Sequence, residues 1–344
     1  MSVRLLMTAD AVGGVWTYAL ELARALLPYG VETTIATMGP EPTAGQAAEA
    51  SDIEGLEIET STFALEWMDD PWVDLERAGR WLLDLDRRVR PSLVHLNGFA
   101  HGTLPWRCPV VVVGHSCVAS WRDAVGGSFD ERWMQRYRQT VSAGIRAADW
   151  VIAPSAEMLA ALQRHYGPLR RASVVPNGRD SRRFRRVVKE PFIFTAGRLW
   201  DRAKNVEAVD AIASRVGWRV VVAQGLTSAE IAERLSRASI FVLPARYEPF
   251  GLLALEAALS GCALVLGDIA SLREVWGSEA IYVAPDDRDA LAARLQELID
   301  SPAALERSAA AAAQHAQRYT PEAMAAGYMR VYRMVASETL RCAS

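Results

Sequence analysis

The stretch RYEPFGLLALE, residues 246–256, places a Pro-Phe-Gly turn between two glutamates, Glu248 and Glu256. The apolar residues 240–243 before it favour a buried strand, and the residues after the turn favour a helix. A helix that begins near Gly251 leaves backbone N–H groups open to an anion such as phosphate. In this arrangement one glutamate can accept hydrogen bonds from sugar hydroxyls while the other can bind a ribose diol.

Both glutamates also have a plainer explanation. An acidic residue before a helix N-terminus is electrostatically favourable there, and Glu256 could be an exposed helix residue. Against that, Glu256 lies within GLLALEAALSG, where a buried carboxylate is costly unless a ligand or a partner satisfies it.

Short β-branched runs alternate with helical patterns along the chain, which predicts an α/β protein with parallel sheets. Residues 15–27 predict a helix, because Tyr18, Leu22 and Leu26 share one face. A charged stretch at 174–191, with Pro and Asn-Gly, separates two series of strands as a linker would. The first series covers residues 3–8, 32–37, 93–96, 110–114 and 150–154, and the second covers 192–196, 219–223, 240–243, 263–266 and 280–283.

Composition sets the limits on function. The chain has 344 residues, 51% of them hydrophobic, which is enough for two domains with separate cores. A net charge of −3 argues against a protein that coats nucleic acid. Its four cysteines have no metal-type spacing and read as thiols of a reducing compartment. No stretch predicts a signal peptide or a membrane span, so we expect a cytoplasmic location.

In doubly wound α/β folds, ligands bind at the carboxyl ends of strands, so residues just after strands are candidates. Gly13 and Gly14, in the loop after the first strand, let backbone approach a phosphate or sugar, although a tight turn explains them equally well. His115 follows the strand at 110–114 and can stabilise charge on a sugar, or can be a structural histidine. Asn97 has a weaker claim.

Two further histidines lie near these strands. His101 has the same weaker claim as Asn97, and His95 within its strand is expected to pack.

The segment TAGRLWDRAKN follows the first strand of the second series. Its Arg198 and Lys204 could bind the two phosphates of a nucleotide. Solvated loop charges are the commoner explanation for such residues, and the neighbouring stretch 246–256 favours the phosphate role.

The pattern E-P-F-G-L-x-x-L-E at 248–256, together with GRLWDRAKN and PNGRDSRRF, resembles the retaining nucleotide-sugar glycosyltransferases of family four. The resemblance covers nearly the whole chain. It implies the GT-B fold, in which two Rossmann-like doubly wound domains face each other across a cleft. The expected divisions are 1–177 for an acceptor-side domain, 178–325 for a nucleotide-sugar-binding domain, and 326–344 for a helix that packs back on the first domain. Further matches are Gly13-Gly14, His115, Asn177-Gly178, Arg273-Glu274-Val275 and Pro285-Asp286.

The resemblance implies a role for each candidate residue. Arg198 and Lys204 would bind the diphosphate, Glu248 the transferred sugar and Glu256 the ribose, with His115 near the anomeric carbon. The expected catalytic residues are His115, Glu248, Arg198 and Lys204, and the expected donor-binding residues are Gly13, Gly14, Arg198, Lys204, Glu248, Phe250, Gly251 and Glu256.

Transfer would retain the anomeric configuration without a metal ion or other cofactor. The D-x-D of Asp84 and Asp86 lies in a helical pattern and is expected on a solvated helix face.

Two departures from the family pattern concern the donor. Residues 224–239 are shorter than the usual segment, so the resemblance implies no particular nucleobase, and UDP- and GDP-hexoses both fit. Ala270-Ser271 replaces a glycine pair near the sugar.

The leading hypothesis is a hexosyltransferase acting on a glycan, lipid-linked or small-molecule acceptor. A nucleotide-sugar epimerase and a non-catalytic nucleotide- or membrane-binding scaffold are the alternatives.

Basic and aromatic residues are mixed in two places, which suits peripheral contact with the inner surface of a membrane. Solvated arginine is the commoner explanation. The first place is residues 131–149, with Arg132, Trp133, Met134, Arg136, Tyr137, Arg138 and Arg146, and the second is the linker, with Arg179, Arg182, Arg183, Arg185, Arg186 and Lys189.

Overall fold

The computed structural model describes residues 3–127, 130–197 and 201–342, and these residues divide into two compact units. The first unit runs to Ser120, resumes from Gly127 to Gly178, and includes the chain from Pro321 onward. The second unit consists of Trp121–Gly126 and Arg179–Thr320.

The first unit is built on a sheet that has seven strands within the described residues, in the order β3-β2-β1-β4-β5-β6-β7. All neighbouring strands in it are parallel, as short strands joined by helices require. The strands are β1 (Val3–Asp10), β2 (Val31–Met38), β3 (Leu56–Thr60), β4 (Leu93–Leu96), β5 (Val110–Val113), β6 (Trp150–Ala153) and β7 (Ala172–Val174).

The second unit has a parallel sheet with five strands in its described part, in the order β12-β11-β10-β8-β9. The strands are β8 (Glu190–Ala196), β9 (Arg219–Ala223), β10 (Ala238–Leu243), β11 (Ala263–Gly267) and β12 (Ile281–Val283).

Helices connect these strands. In chain order they are α1 (Gly14–Leu26), α2 (Ala44–Ser51), α3 (Trp72–Val89), α4 (Val118–Val125), α5 (Glu131–Ala147), α6 (Ala156–Tyr166), α7 (Val206–Ala211), α8 (Ser228–Arg237), α9 (Leu252–Leu259), α10 (Ala270–Trp276), α11 (Arg288–Asp300), α12 (Pro302–Ala316) and α13 (Pro321–Cys342).

Both faces of the second sheet are covered, because its strands are apolar on both sides. Phe194 and Phe241 pack on one face with residues of α9 and α12. Ile193 and Ile240 pack on the other face with residues of α7 and α11. Successive residues of a strand point to opposite faces, so a continuous apolar run builds two cores at once. Parallel strands with interleaved helices make both units Rossmann-like, and the predicted α/β class is confirmed.

The ten predicted strands all occur, and the helix predicted at 15–27 is α1, with Tyr18, Leu22 and Leu26 buried. The sequence did not predict β3 and β7. Both are edge strands, and neither contains a fully buried residue. Their sequences therefore lack the apolar run that marks the interior strands.

The prediction for the D-x-D pair was wrong in one half. Asp84 is exposed on α3, as predicted, but only 2% of the surface of Asp86 is accessible. Arg107 compensates the charge of this buried carboxylate. Its Nε donates to Asp86 Oδ2 at 2.7 Å, and its Nη2 donates to the backbone carbonyl of Asp86. The partner follows the helix in the chain, and the helical pattern gave no sign of it.

Candidate functional site

In the second unit, the loop before α9 carries Glu248, and its carboxylate meets Lys204. Lys204 Nζ lies 2.6 Å from Glu248 Oε2, and the two side chains are about one-fifth and one-seventh exposed, at 21% and 14%. The sequence predicted both as ligand-binding residues, and the structure brings them together. An ion pair this short and this sheltered fixes the position of both charged groups.

The second carboxylate oxygen of Glu248 accepts from the backbone at the start of α9. The N–H of Gly251 donates to Oε1 at 3.0 Å and that of Phe250 at 3.4 Å. Gly251 is the N-cap and has φ 91°, a left-handed conformation that favours glycine. Phe250 contributes only its N–H, because its ring is buried against Tyr319. The anion-binding end of α9 is therefore occupied by the protein's own carboxylate.

Ser271, at the start of α10, holds the same loop from the other side. Its hydroxyl donates to the carbonyl oxygen of Glu248 at 2.6 Å. A glycine at this position has no hydroxyl and could not make the bond. The sequence marked Ala270-Ser271 only as a departure from a pattern, and the structure assigns Ser271 a positioning role.

Asn205 holds the loop that carries Lys204. It is fully buried, has the left-handed φ of 54°, and its amide nitrogen donates to the carbonyls of Pro244 and Pro285. Asparagine tolerates this backbone conformation better than most residues. Asn205 therefore holds the Lys204 loop against the end of β10. The sequence pattern gave no indication of this role. Arg198, predicted beside Lys204, lies outside the described residues.

Glu256, in the second turn of α9, forms an ion pair with Arg179. The Arg179 Nε lies 2.9 Å from Glu256 Oε1, with side-chain exposures of only 6% and 13%. The guanidinium also stacks over Phe184. The sequence required a ligand or a partner for this carboxylate, and Arg179 is the partner. Because Arg179 was predicted as part of a basic surface, that part of the prediction was wrong.

In the first unit, His115 lies two residues after the end of β5 and joins a partly buried polar network. Its Nε2 lies 2.8 Å from Oδ1 of Asn97, which also lies 3.0 Å from Nε2 of His95. The amide nitrogen of Asn97 donates to the Thr8 carbonyl at 2.7 Å. This bond orients the amide, so its oxygen faces both imidazoles, and both must carry their proton on Nε2.

Burial keeps both imidazoles neutral. It lowers the pKa of His95 to about 4 and, with the nearby His95, the pKa of His115 to about 3. His95 is fully buried, as predicted, and its Nδ1 accepts from the hydroxyl of Tyr332 on α13 at 2.6 Å. Tyr18 packs edge-on against His115, with ring centroids 4.4 Å apart. At neutral pH, His115 therefore acts as a hydrogen-bonding group without charge.

The remaining candidates of the first unit are structurally simpler. Gly14 begins α1 and Gly13 is its N-cap, with φ −160° and no side-chain cap. This extended backbone does not demand glycine, so conformation alone does not explain the pair. Gln46 supports the loop by donating to the Ala11 carbonyl at 3.0 Å. His101 contacts the carbonyl of Leu75 from a buried position.

The sequence model described as Glycosyltransferase Family 4 matches residues 12–183, which is half of the chain, and that described as Glycosyl transferases group 1 matches residues 184–301. The chain belongs to glycosyltransferase family 4. Glycogen synthase of Mycobacterium tuberculosis (strain CDC 1551 / Oshkosh) is 28% identical over 88% of this chain and 86% of its own. MMP alpha-(1->4)-mannosyltransferase of Mycolicibacterium hassiacum is 40% identical over 26% of this chain and 22% of its own.

Solved structures show the same fold. Sucrose-phosphate synthase from Thermosynechococcus elongatus superposes with a TM-score of 0.81 at 18% identity, over 99% of this chain and 100% of that one. Anabaena Alr3699/HepE, solved with UDP and glucose, gives a TM-score of 0.73 at 15% identity, over 97% of this chain and 100% of that one. This family 4 chain therefore has the GT-B fold and is a glycosyltransferase that acts on nucleotide sugars.

Several residues of the basic and aromatic mixture are buried or partly buried in this family 4 protein. Met134 and Tyr137 of α5 are buried. Lys189 of the linker donates to the Leu235 carbonyl at 3.0 Å, and burial lowers its pKa. Among the described residues, none of the helices has the length and apolar character needed to cross a membrane. Within the same residues, no group of three or more His, Cys, Asp and Glu side chains could hold a metal ion.

Replacing Ser271 by alanine is expected to weaken donor binding by this glycosyltransferase about fivefold, because one hydrogen bond of roughly 1 kcal/mol no longer positions Glu248. Calorimetric titration with the donor measures the effect. The exposed Ser278, whose hydroxyl contacts Glu279, provides the matched control in Ser278→Ala. Equal affinities in the two variants would contradict a positioning role for Ser271.

Proposed function

We propose that this protein is a retaining hexosyltransferase that moves a hexose from a UDP- or GDP-linked donor to a hydroxyl of a glycan, lipid-linked or small-molecule acceptor, without a metal ion. The observation that carries the proposal is the meeting of Lys204 and Glu248 at the N-terminal end of α9. A cation and two backbone N–H groups converge there on one negatively charged group.

The diphosphate of the donor takes over the contacts that Glu248 now makes. Lys204 Nζ and the N–H groups of Phe250 and Gly251 all donate hydrogen bonds to a carboxylate, and a phosphate oxygen accepts the same bonds. The exchange releases the Glu248 carboxylate to accept from hydroxyls of the transferred hexose. Arg198 is assigned to the diphosphate by family resemblance.

Glu256 binds the ribose diol of the donor. The ion pair with Arg179 favours the ionised carboxylate, which accepts hydrogen bonds and can receive both hydroxyls of a diol. Gly13 and Gly14, at the start of α1, are assigned to the donor by family resemblance.

Charge develops on the diphosphate as the bond between it and the anomeric carbon breaks. Lys204 and the N–H groups at α9 stabilise that charge without reorganising during the reaction. The acceptor oxygen forms the new bond on the same face of the sugar, and its proton passes to the departing phosphate oxygen. His115, held neutral by burial, contacts the transferred sugar without adding a charge that would compete for the phosphate.

Calorimetric titration with UDP, GDP and their glucose and mannose conjugates tests the proposal in buffer with EDTA. We expect nucleotides of only one of the two bases to bind. Lys204→Ala should lower the affinity for nucleoside diphosphates at least tenfold, because it removes a charge-assisted hydrogen bond. Glu256→Gln should lower the affinity for nucleosides and for nucleotides by the same factor, because both contain the ribose.

Tyr29→Ala, on the surface of the first unit, is the control. Absence of binding to every nucleotide would overturn the proposal, as would binding that requires a divalent ion. Unchanged affinity in both site variants would overturn the assignment of the residues.

A further inference from the structure

A recess in the first unit is lined by Asn97, the hydrogen-bond partner of His115, and by none of the proposed donor-binding residues. It lies at the carboxyl ends of β1, β2 and β4. Its lining combines an apolar surface with three polar side chains, Asp10, Glu66 and Asn97. Asn97 is shared with the polar network of His115, since its amide oxygen accepts a hydrogen bond from the Nε2–H of His115. A ligand in the recess would therefore be one side chain away from His115.

The apolar part of the recess contains an exposed aromatic ring. Trp67 is 38% exposed, and it lies with Leu65, Leu75 and Met38 in the lining. A tryptophan at the mouth of a concave site offers a flat face to the C–H groups of a ring, and a few polar groups fix its orientation. Pyranose and cyclitol rings have this combination of a C–H face and hydroxyls at the edge.

The polar part is rich in hydrogen-bond acceptors, and Asp10 gives it a negative charge. The Oδ1 of Asp10 accepts from the N–H of Val12 at 3.0 Å. Glu66 accepts from the N–H groups of Phe99 and Ala100, which fixes it at the wall of the recess, and burial raises its pKa to about 7. Hydroxyl groups can donate to both side chains, whereas a phosphate is repelled by the Asp10 carboxylate.

No lysine or arginine is among the residues that line the recess in the described part of the chain. His101, which does line it, is held neutral, because burial lowers the pKa of its imidazole. A phosphorylated ligand would therefore enter a pocket with no cation to receive it.

We infer that this recess binds the acceptor, and that the acceptor group seated there is an uncharged sugar or cyclitol ring stacked on Trp67 rather than a phosphorylated one. The inference rests on the proposed function, because it takes His115 to be the residue beside the transferred sugar.

Saturation-transfer NMR on the full chain with UDP or GDP present, whichever binds, tests the inference with matched pairs of probes. These are maltose against maltose 1-phosphate, and myo-inositol against inositol 3-phosphate. We expect at least one neutral probe to bind about tenfold more tightly than its phosphorylated partner. Trp67→Ala should weaken binding of the neutral probe about tenfold, and Tyr29→Ala, which removes a ring of nearly equal exposure at 39%, should not.

A charge variant supplies the second arm. Asp10→Asn keeps the oxygen that accepts from Val12 and removes the charge, so it should reduce the ratio of affinities between neutral and phosphorylated probes. The inference would be overturned if phosphorylated probes bound as tightly as neutral ones. It would also be overturned if Trp67→Ala left the affinity for the neutral probe unchanged. If nucleotides bind and no probe binds, the inference is overturned and the proposed function stands. If no nucleotide binds, the proposed function is overturned.

Discussion

Replacing Arg179 by methionine lowers the free energy of unfolding of the second unit by about 3–5 kcal/mol, the cost of leaving one charge of a buried pair without its partner. The pair is well sheltered, with 6% and 13% of the side-chain surfaces exposed, so solvent screens it little. Urea unfolding of the purified protein measures the loss, and hydrogen exchange of peptides from α9 locates it.

A matched surface variant and a double variant separate the charge effect from the loss of side-chain packing. Arg182, three residues later, is 84% exposed and pairs with Asp180, so Arg182→Met should cost less than about 1 kcal/mol. Combining Arg179→Met with Glu256→Leu removes both charges and should recover much of the stability. If Arg179→Met were no more destabilising than Arg182→Met, the pair would not be a buried structural element.

Acidification from pH 7.5 to 4.5 destabilises the first unit by about 2–3 kcal/mol through His95 alone. Burial lowers the pKa of this imidazole from 6.5 to about 4, so between these values the unfolded chain binds a proton that the folded chain does not. The contribution is fully present above pH 6.5 and is lost as the pH falls towards 4. The size follows from about 1.4 kcal/mol per unit of pKa.

The groups around His95 do not compensate its protonation. Tyr18 from α1, His115 after β5, and Tyr328 and Tyr332 from α13 face it, and none carries a negative charge in this range. The measurement is urea unfolding at several pH values, with hydrogen exchange of peptides from β4 and α13. His95→Gln should lose about 2 kcal/mol less than the wild type over this interval. Parallel losses in both proteins would contradict the assignment.

Much of the fold could be predicted from short segments because the information is local. A continuous apolar run such as the one that contains Ile193 and Phe194 identifies a strand buried on both faces, without reference to the rest of the chain. The edge strand β3 has no such signature, since its pairing partner supplies what its own sequence lacks. The residues of the 246–256 stretch were found for the same reason, because their spacing is contained in one turn and one helix.

Partners from distant parts of the chain could not be predicted in this way. Arg179 looked like one arginine among many in a basic linker, and only the packing of that linker against α9 shows that it neutralises Glu256. In the sequence, Ser271 only marked the replacement of a glycine, whereas in the structure its hydroxyl donates a hydrogen bond to the Glu248 carbonyl.

The sequence by itself determined the two series of parallel strands, the helix at 15–27, and the glutamates, lysine and histidine that could serve a nucleotide sugar. Only the tertiary structure decided which group meets which: Lys204 with Glu248, Arg179 with Glu256, and His115 with Asn97. The physical reason is range. Hydrophobic periodicity and turn chemistry act over a few residues of the chain, whereas an ion pair or hydrogen bond depends on a separation of about 3 Å that the whole fold sets.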